Sequence, residues 1–368
     1  MSAELDILIL TAGFGDGHNS AARNLDLALK SQCSSRCIDP CALGAPFINE
    51  RLRSFYRGIT THAPWLWRKI YLSTEKQDFS RETFPMMRKP EQKLHDMLAE
   101  HKPRAVISTY PLYPYFLERI FKRGIPKVPV FTVVTDSIEI NAAWRKAPTD
   151  YWLVTDEHSR ERLIQQGLSE TSVVETGFPV HPHFSDLSSV TADDPLEPFR
   201  ILYFPTAKKP HVRRIAREIL GSTPENVQLT IVLGRNVRKL YRRAQEIKQR
   251  HPGRVKIKGW SKRVPELLTS HHLVIGKAGG ATVHESLAAA CPMLIHHLVP
   301  GQEEGNLTLL RKLNGGYLAD SPGELASHIR EMLADKAHGW RSMKRNLTRV
   351  ARPAAAHTAA NFILSHLA

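Results

Sequence analysis

The segment Gly276–Pro292 has residue types and a spacing suited to binding a nucleoside diphosphate. It reads GKAGGATVHESLAAACP, so an apolar strand ends in Gly279-Gly280 and a helix starts at once. Free backbone amides at such a helix start converge on one spot and favour an anion such as a diphosphate. Thr282 is expected to cap the helix, and the Glu285 carboxylate can accept two hydrogen bonds from a ribose diol. The alternative is that Glu285 only completes a capping box with Thr282.

A second polar run follows the next predicted strand, in PGQEEGN at Pro300–Asn306. Loops that follow parallel strands gather at the carboxyl edge of the sheet. We therefore expect Gln302, Glu303 and Asn306 at that edge, where their amide and carboxylate groups suit the hydroxyl groups of a sugar.

The glycine-rich segment TAGFGDGH, Thr11–His18, stands between a predicted strand and a predicted helix. Gly15 and Gly17 permit positive φ and close backbone approach, and the helix start suits an anion. The spacing fits neither the dinucleotide fingerprint nor a P-loop. His18 is predicted to face a cleft as a base or an acceptor-binding residue, because neutral imidazole titrates near working pH. A histidine that merely caps the helix is the alternative.

Asp136 follows the buried apolar strand in VVTDSIEINAAW, Val133–Trp144. A parallel sheet presents residues at this position to its ligand-binding edge. The carboxylate is therefore a second candidate base. An acid that caps the next turn is the competing interpretation.

Together these segments resemble the monogalactosyldiacylglycerol synthases and processive diacylglycerol glucosyltransferases. More distantly, they resemble the N-acetylglucosaminyltransferase that makes the lipid-linked peptidoglycan precursor. The similarity spans about residues 5–315, and its most specific motifs, K-x-G-G-x-T-x-x-E and P-G-Q-E-x-x-N, are complete. The remaining matches are the loop ending in Gly17-His18, Thr135-Asp136 followed by Trp144, Gly234-x-Asn236, and Gly259-Trp260.

The resemblance implies a GT-B fold, in which two Rossmann-like, doubly wound α/β domains face a cleft. It implies an inverting hexosyltransferase that uses a UDP-sugar as co-substrate and needs no metal ion or other cofactor. Gly279 and Gly280 would lie against the diphosphate, Glu285 on the ribose, and Gln302 with Glu303 at the hexose. The full set of expected donor-binding residues is Gly15, Gly17, Gly234, Asn236, Gly279, Gly280, Thr282, Glu285, Gln302, Glu303 and Asn306.

An inverting displacement needs a base at the acceptor hydroxyl and stabilisation of the departing UDP. His18 is the expected base, and Asp136 is either the alternative base or the residue that orients His18. The helix that begins near Gly280 would stabilise the diphosphate leaving group.

Two departures from the family pattern bear on the substrates. The family usually has a histidine between its Asp and its Trp, in the stretch where this chain has Asn141. This leaves the acceptor open between diacylglycerol or a glycosyl-diacylglycerol, which the resemblance implies, and a polyprenyl-diphosphate-linked sugar. A Gly-rich loop usually follows the first strand of the second domain, where Pro205–Lys209 stands; Lys208 or Lys209 would substitute as point charges.

The charge balance favours an anionic partner, since the 368 residues include 51 Lys and Arg against 36 Asp and Glu, a net charge of +15. Cations interleave with large apolar residues over Arg51–Arg88, including Trp65 and Trp67, which is typical of a segment lying on anionic lipid. Trp144 is grouped with these as an acceptor or membrane residue. An ordinary helical hairpin is the alternative. A nucleic-acid-binding protein is the weaker explanation, because no helix-turn-helix, zinc-finger or RNP pattern is present.

Short apolar runs alternate with helical segments, which predicts parallel sheets with helices on both faces. Strands are predicted at 6–11, 105–110, 129–135, 152–155, 173–176, 201–205, 228–233, 255–258, 273–276 and 293–296. The predicted organisation is an N-terminal acceptor-binding domain over 1–180, a linker over 181–199, a C-terminal UDP-sugar-binding domain over 200–345, and a helix over 346–368 that packs back on the first domain.

The sequence predicts no membrane insertion. Met1–Asp6 carries acids where a signal peptide needs cations, and no apolar run approaches the about 20 residues that span a bilayer. The four cysteines suit a reducing compartment. We expect a cytoplasmic protein, peripheral on the inner face of the membrane.

Overall fold

A computed structural model describes residues 5–77, 79–80, 85–206 and 209–367, which form two compact units. Unit 1 comprises Met1–Pro182, Val299–Gly305 and Ala354–Ala368, and unit 2 comprises His183–Leu298 and Asn306–Pro353. The predictions that fall on residues 1–4, 78, 81–84, 207–208 and 368, and on the Lys209 side chain, lie outside the described residues.

Unit 1 is built on a six-stranded parallel sheet in the order β2-β1-β3-β4-β5-β6. Its strands are β1 (Ile7–Leu10), β2 (Ser35–Ile38), β3 (Ala105–Ser108), β4 (Val130–Val133), β5 (Tyr151–Val154) and β6 (Val173–Glu175). Its helices are α1 (Asp16–Leu29), α2 (Pro40–Gly44), α3 (Pro46–His62), α4 (Pro64–Ser73), α5 (Arg88–His101), α6 (Tyr113–Lys122), α7 (Ala142–Arg145), α8 (Glu157–Gln165) and α15 (Ala355–Leu364), with 3₁₀ turns at Thr74–Lys76 and Pro85–Met87. Every residue of β1, β3 and β4 is buried, because helices cover both faces of a parallel sheet.

Unit 2 contains the second parallel sheet, in the order β12-β11-β10-β7-β8-β9. Its strands are β7 (Phe199–Tyr203), β8 (Val227–Val232), β9 (Val255–Lys258), β10 (Leu273–Lys277), β11 (Met293–His297) and β12 (Gly316–Leu318). Its helices are α9 (Lys209–Ser222), α10 (Val237–Arg250), α11 (Val264–Ser270), α12 (Gly280–Ala288), α13 (Glu304–Lys312), which begins at the end of the 299–305 segment, and α14 (Pro322–Val350), which is non-helical at 334–337. A 3₁₀ turn at Gly234–Asn236 precedes α10, and another at Pro182–Asp186 begins the unit.

Both sheets are doubly wound, as the sequence predicts. The strand order reverses between β1 and β3 in the first sheet and between β7 and β10 in the second. At such a switch point the loops at the carboxyl ends diverge and leave a crevice for a ligand. All ten predicted strands are present. Two further strands, β2 and β12, are not among the ten: β2 has the sequence SRCI with a single buried residue, and the three-residue β12 begins with glycine, so neither has the apolar run by which the others are predicted.

The segment predicted as a linker, 181–199, is ordered and packs on unit 2. The Val190 amide donates to the Thr269 carbonyl oxygen at 2.9 Å, and the Val190 and Leu196 side chains pack against the core of unit 2. Unit 2 accordingly begins at His183, earlier than the domain predicted to start at residue 200.

The carboxyl-terminal segment packs on unit 1 through α15. The Phe362 ring stands edge-on to Tyr151 at 5.3 Å. The sequence predicts one helix over 346–368, whereas α14 ends at Val350 and α15 begins at Ala355. Pro353 lies in the break, where its missing amide hydrogen prevents a continuous helix.

The hairpin of α3 and α4 exposes several large apolar side chains of unit 1. Trp65 is 62% exposed, and Phe47 and Phe55 are also exposed. α4 contains no buried residue. Across the described ranges of the chain, no helix combines the length and the apolar character needed to cross a bilayer.

Candidate active site

His18 lies in the first turn of α1, at the switch point of the first sheet. The N-cap of α1 is Gly15, with a φ of 111°. Glycine adopts this conformation without strain because it has no Cβ atom. His18 therefore does not cap the helix, and its side chain is 7% exposed. The Thr109 hydroxyl, which follows β3, donates to the His18 carbonyl oxygen at 3.1 Å and joins the two loops of the switch point.

The environment of His18 keeps the imidazole neutral. Thr135 Oγ1 lies 3.0 Å from His18 Nδ1, and the Tyr110 ring stands edge-on to the imidazole at 5.3 Å. Burial disfavours the imidazolium and lowers the pKa of His18 to about 4. The hydrogen-bond partner of Nδ1 is Thr135 and not Asp136, which the sequence suggests as an orienting residue.

Asp136 is 9% exposed and accepts a hydrogen bond at Oδ2 from Trp144 Nε1, at 2.9 Å. Burial raises the pKa of Asp136 to about 6; the Trp144 hydrogen bond opposes this, and the negative charge of Glu303 adds to it. The N-cap of α7 is Asn141, so Asp136 is not the cap of that turn. The Trp144 ring also lies 5.9 Å from the His18 ring, so it contacts both candidate bases.

Trp144 is 2% exposed, so its prediction as a membrane-contacting residue is wrong, whereas its prediction as an acceptor residue stays a prediction. Its indole is turned inward because the N–H group binds Asp136, and its carbonyl oxygen accepts a hydrogen bond from Trp152 Nε1 at 2.9 Å. Trp144 therefore holds Asp136 from within unit 1. Trp65 is exposed and Trp67 is half-buried.

Asn141, the residue where the family usually has a histidine, has a structural role. Its Oδ1 accepts a hydrogen bond from the Ala143 amide at the start of α7. Its Nδ2 donates to Thr74 Oγ1 at 2.9 Å and to the Tyr71 carbonyl oxygen at 3.3 Å. The side chain thus ties α7 to the end of α4.

Gln302 and Glu303 lie in unit 1, although the sequence places them in the domain over 200–345. Tyr56 Oη donates to Gln302 Oε1 at 2.8 Å. A Cβ atom on Gly305 would lie 1.9 Å from the Ser137 carbonyl oxygen, so only glycine permits this approach of the 299–305 segment. Because the segment comes this close, the negative charge of the buried Glu303 carboxylate raises the pKa of Asp136, the neighbour of Ser137.

The start of α12 in unit 2 differs from the sequence prediction. The helix begins at Gly280 with Gly279 as the N-cap, in extended backbone and without a side-chain cap. Thr282 is the third residue of the helix, so its prediction as the cap is wrong. Glycine has no side chain that could cap the helix. A capping box with Glu285 would need Thr282 at the N-cap, so that explanation fails as well. Gly279 and Gly280 therefore present first-turn amides at the switch point of the second sheet.

Asn306 is brought to the start of α12 within unit 2. Its Nδ2 donates to the Ala278 carbonyl oxygen at 3.0 Å, directly before Gly279. Its Oδ1 is buried and has no hydrogen-bond partner among the residues that the structure describes. Gly234 and Asn236 form the 3₁₀ turn after β8, with φ of 56° at Gly234.

No role is predicted from the sequence for two further candidate residues, Thr206 and Tyr56. Thr206 follows β7 at the same switch point, and its buried hydroxyl lacks a hydrogen-bond partner within the described part of the chain. Because Thr206 follows the first predicted strand of the unit, its position at the ligand-binding edge of the sheet can be inferred from the sequence. Tyr56 meets Gln302 across 246 residues, a separation that no local pattern reveals.

No group of three or more His, Cys, Asp or Glu side chains in the described ranges is arranged to hold a metal ion. The prediction of a metal-independent reaction stays a prediction.

Comparisons with known proteins agree with the resemblance predicted from the motifs. Residues 18–180 match the family model for monogalactosyldiacylglycerol (MGDG) synthase. A processive diacylglycerol beta-glucosyltransferase of Bacillus licheniformis is 25% identical over 359 residues, covering 94% of this chain and 91% of that protein.

Solved structures share the fold over almost the whole chain. MurG of Acinetobacter baumannii has a TM-score of 0.63 at 14% identity, covering 98% of this chain and 99% of that one. The S. aureus MnaA–UDP complex has a TM-score of 0.60 at 13% identity, covering 99% and 96%. The GT-B fold predicted from the sequence is confirmed.

Proposed function

We propose that this chain, a relative of the monogalactosyldiacylglycerol synthases and the processive diacylglycerol glucosyltransferases, is a hexosyltransferase that moves a sugar from a UDP-sugar to diacylglycerol or a glycosyl-diacylglycerol. Similarity to a diacylglycerol glucosyltransferase over 94% of the chain supports the reaction class. One geometric observation carries the donor assignment: α12 begins at Gly280, after an N-cap with no side chain, at the switch point of a Rossmann-type sheet.

Unit 2 supplies the diphosphate and ribose contacts in this proposal. Backbone amides of Gly279 and Gly280 bind the diphosphate, and the positive end of the α12 dipole stabilises the charge on departing UDP. Glu285, on the same helix, accepts hydrogen bonds from the ribose hydroxyl groups. Asn306 and Thr206 offer further polar groups near the carboxyl ends of β10 and β7, and Gly234, Asn236 and Thr282 are the other expected contacts of this unit. Four expected donor contacts lie in unit 1: Gly15, Gly17, Gln302 and Glu303.

Unit 1 supplies the base. Neutral His18 accepts a proton at Nε2 only if its own proton sits on Nδ1 and is donated to Thr135 Oγ1, which lies 3.0 Å away. Asp136 is the alternative, since a carboxylate with a pKa near 6 is ionised at neutral pH and more basic than an ordinary aspartate.

We propose a single inverting displacement. The base removes the proton of the acceptor hydroxyl, whose oxygen attacks the anomeric carbon from the face opposite UDP. The bond between that carbon and the diphosphate oxygen breaks, and UDP departs with the bonding electrons. One displacement inverts the anomeric configuration, and no metal ion is required if α12 stabilises the leaving group. Full activity in EDTA would support this, and loss that is restored by a divalent cation would contradict it.

The lipid acceptor implies peripheral contact with a membrane, which we place at the inner face. The exposed Trp65 and the cations around it on α3 and α4 suit an interface with anionic lipid. Aromatic rings favour the boundary of the bilayer, and Lys and Arg favour anionic head groups.

The direct test is incubation of pure protein with UDP-glucose, UDP-galactose and UDP-N-acetylglucosamine in the presence of diacylglycerol vesicles. Mass spectrometry should find a monohexosyl-diacylglycerol, and NMR of the product should find inverted anomeric configuration. Transfer only to a polyprenyl-diphosphate-linked sugar would replace the acceptor assignment. Absence of transfer from every UDP-sugar to either acceptor would overturn the proposed function.

A further inference from the structure

Tyr56 on α3 lies where three separate segments of unit 1 meet. Its hydroxyl donates to Gln302 Oε1 at 2.8 Å, in the segment 299–305. Its ring stands edge-on to Trp67 of α4 at 4.9 Å and to Phe14 of the glycine-rich loop at 6.4 Å. A Cβ atom on Gly15 would lie 3.9 Å from the Tyr56 hydroxyl, so the phenol also borders the start of α1.

The phenol is a hydrogen-bond donor at neutral pH. Burial raises the pKa of Tyr56, and the negative charges of Glu303 and Asp136 raise it further. The aromatic contacts on its ring hold the hydroxyl in place, which reduces the conformational entropy that the hydrogen bond must offset.

In this hydrogen bond the oxygen end of the Gln302 amide faces the phenol. A glutamine amide has one acceptor oxygen and one nitrogen with two N–H groups. When Oε1 faces Tyr56, Nε2 is directed away from the phenol, and both N–H groups point elsewhere. A half-buried side chain held in this orientation presents donors, and sugar hydroxyl oxygens accept hydrogen bonds from such donors.

We infer that Tyr56 is a positioning residue for the donor sugar: its hydroxyl orients the Gln302 amide so that the N–H groups bind the hexose of the UDP-sugar. The inference rests on the proposed function, because it requires a UDP-hexose as donor. Tyr56 itself does not touch the reacting atoms. It acts through Gln302, so its effect should depend on Gln302.

The test compares Tyr56→Phe with Tyr71→Phe, a matched variant of the same hairpin. Tyr71 lies on α4 and its ring packs against Gly301, at 3.1 Å from a Cβ placed there. The Tyr71 hydroxyl is buried without a hydrogen-bond partner among the described residues. Both variants remove one buried hydroxyl group beside the same segment, but only Tyr56→Phe removes a hydrogen bond to Gln302.

Calorimetry with UDP-glucose, UDP-galactose and UDP separates sugar recognition from nucleotide binding. Tyr56→Phe should weaken the preferred UDP-hexose by about 2- to 10-fold relative to UDP, the value of one hydrogen bond. Tyr71→Phe should leave this ratio unchanged. In the Gln302→Ala background, Tyr56→Phe should have no further effect on the ratio, because the two residues act as one unit.

Three outcomes would overturn the inference. The ratio could be unchanged in Tyr56→Phe, it could fall equally in Tyr71→Phe, or the Tyr56 effect could persist in the Gln302→Ala background. Binding of neither UDP-hexose by the wild type would refute the donor assignment itself, and the inference would fall with it before any variant is made.

If Tyr56→Phe does not fold, two variants of Gln302 test the inference instead. Gln302→Glu still accepts the Tyr56 hydrogen bond but offers no N–H donor, and Gln302→Met keeps the length of the side chain and loses both functions. The inference expects both variants to lose the preference for UDP-hexose over UDP. Retention of that preference in Gln302→Glu would contradict it.

Discussion

At the scale of single residues, one physical cause shifts the two candidate bases in opposite directions. Burial disfavours charge, so it lowers the pKa of His18 to about 4 and raises the pKa of Asp136 to about 6. A base works only when deprotonated, so activity falls as the pH drops through its pKa. The acidic limb of the rate profile therefore distinguishes the two.

If His18 is the base, His18→Ala should lower turnover by about 10²–10⁴-fold, the usual contribution of general-base catalysis. UDP affinity should hardly change, because the proposed diphosphate and ribose contacts, Gly279, Gly280 and Glu285, lie in unit 2. The acidic limb of the wild-type pH–rate profile should fall near pH 4 and should vanish from the residual activity. Asp136→Asn should cost less. A limb near pH 6, with Asp136→Asn as the more damaging change, would make Asp136 the base.

The assignment of Glu285 to the ribose gives a second prediction for a single residue. Glu285→Ala should raise the donor KM and lower kcat/KM by roughly 10- to 150-fold, the cost of losing hydrogen bonds to a charged group. Glu266→Ala, which removes a carboxylate from α11 in the same unit, is the matched control. Unchanged UDP affinity by calorimetry in a folded Glu285→Ala protein would refute the assignment.

At the scale of elements, the hairpin of α3 and α4 contains one exposed and one half-buried tryptophan, two residues apart. Trp65 is exposed, and Lys69 lies over its ring at 5.4 Å. Trp67 is half-buried, and its ring packs edge-on against Tyr56. The helical-hairpin and membrane-surface interpretations are therefore compatible, since different residues of one hairpin serve packing and the surface.

Trp65→Ala should weaken binding to anionic vesicles in a sedimentation assay and leave the free energy of unfolding unchanged. Trp67→Ala should instead lower the free energy of unfolding by about 1–3 kcal/mol, because it leaves a cavity beside Tyr56. Denaturant titration and vesicle sedimentation of both variants check this pair of outcomes. Normal vesicle binding by Trp65→Ala would remove α4 from the membrane-contacting surface.

At the scale of the whole molecule, positive charge is spread over both units. In unit 2, α10 contains six Lys or Arg residues against the single carboxylate of Glu246: Arg238, Lys239, Arg242, Arg243, Lys248 and Arg250. Such a surface raises the local concentration of anionic lipid through long-range attraction, which salt screens.

Binding to anionic vesicles and transfer on them should therefore fall as ionic strength rises from low salt past physiological values, where the Debye length is about 8 Å. Neutral vesicles should bind less protein and respond little to salt. Equal sedimentation with neutral and anionic vesicles, at any salt concentration, would contradict an electrostatic attachment.

The sequence by itself determined the two doubly wound sheets and the positions of His18, Asp136 and Gly279 at strand ends, because buried parallel strands are continuous apolar runs and ligand-binding residues follow them. It misplaced the α12 cap by three residues, since a glycine N-cap has no side chain that marks it. Only the tertiary structure decided that Trp144 turns inward to Asp136 and that Gln302 and Glu303 lie in unit 1. Packing alone also brings Tyr56 to Gln302, 246 residues away in the sequence. Such contacts depend on how distant segments pack, and no local pattern of residues encodes that packing.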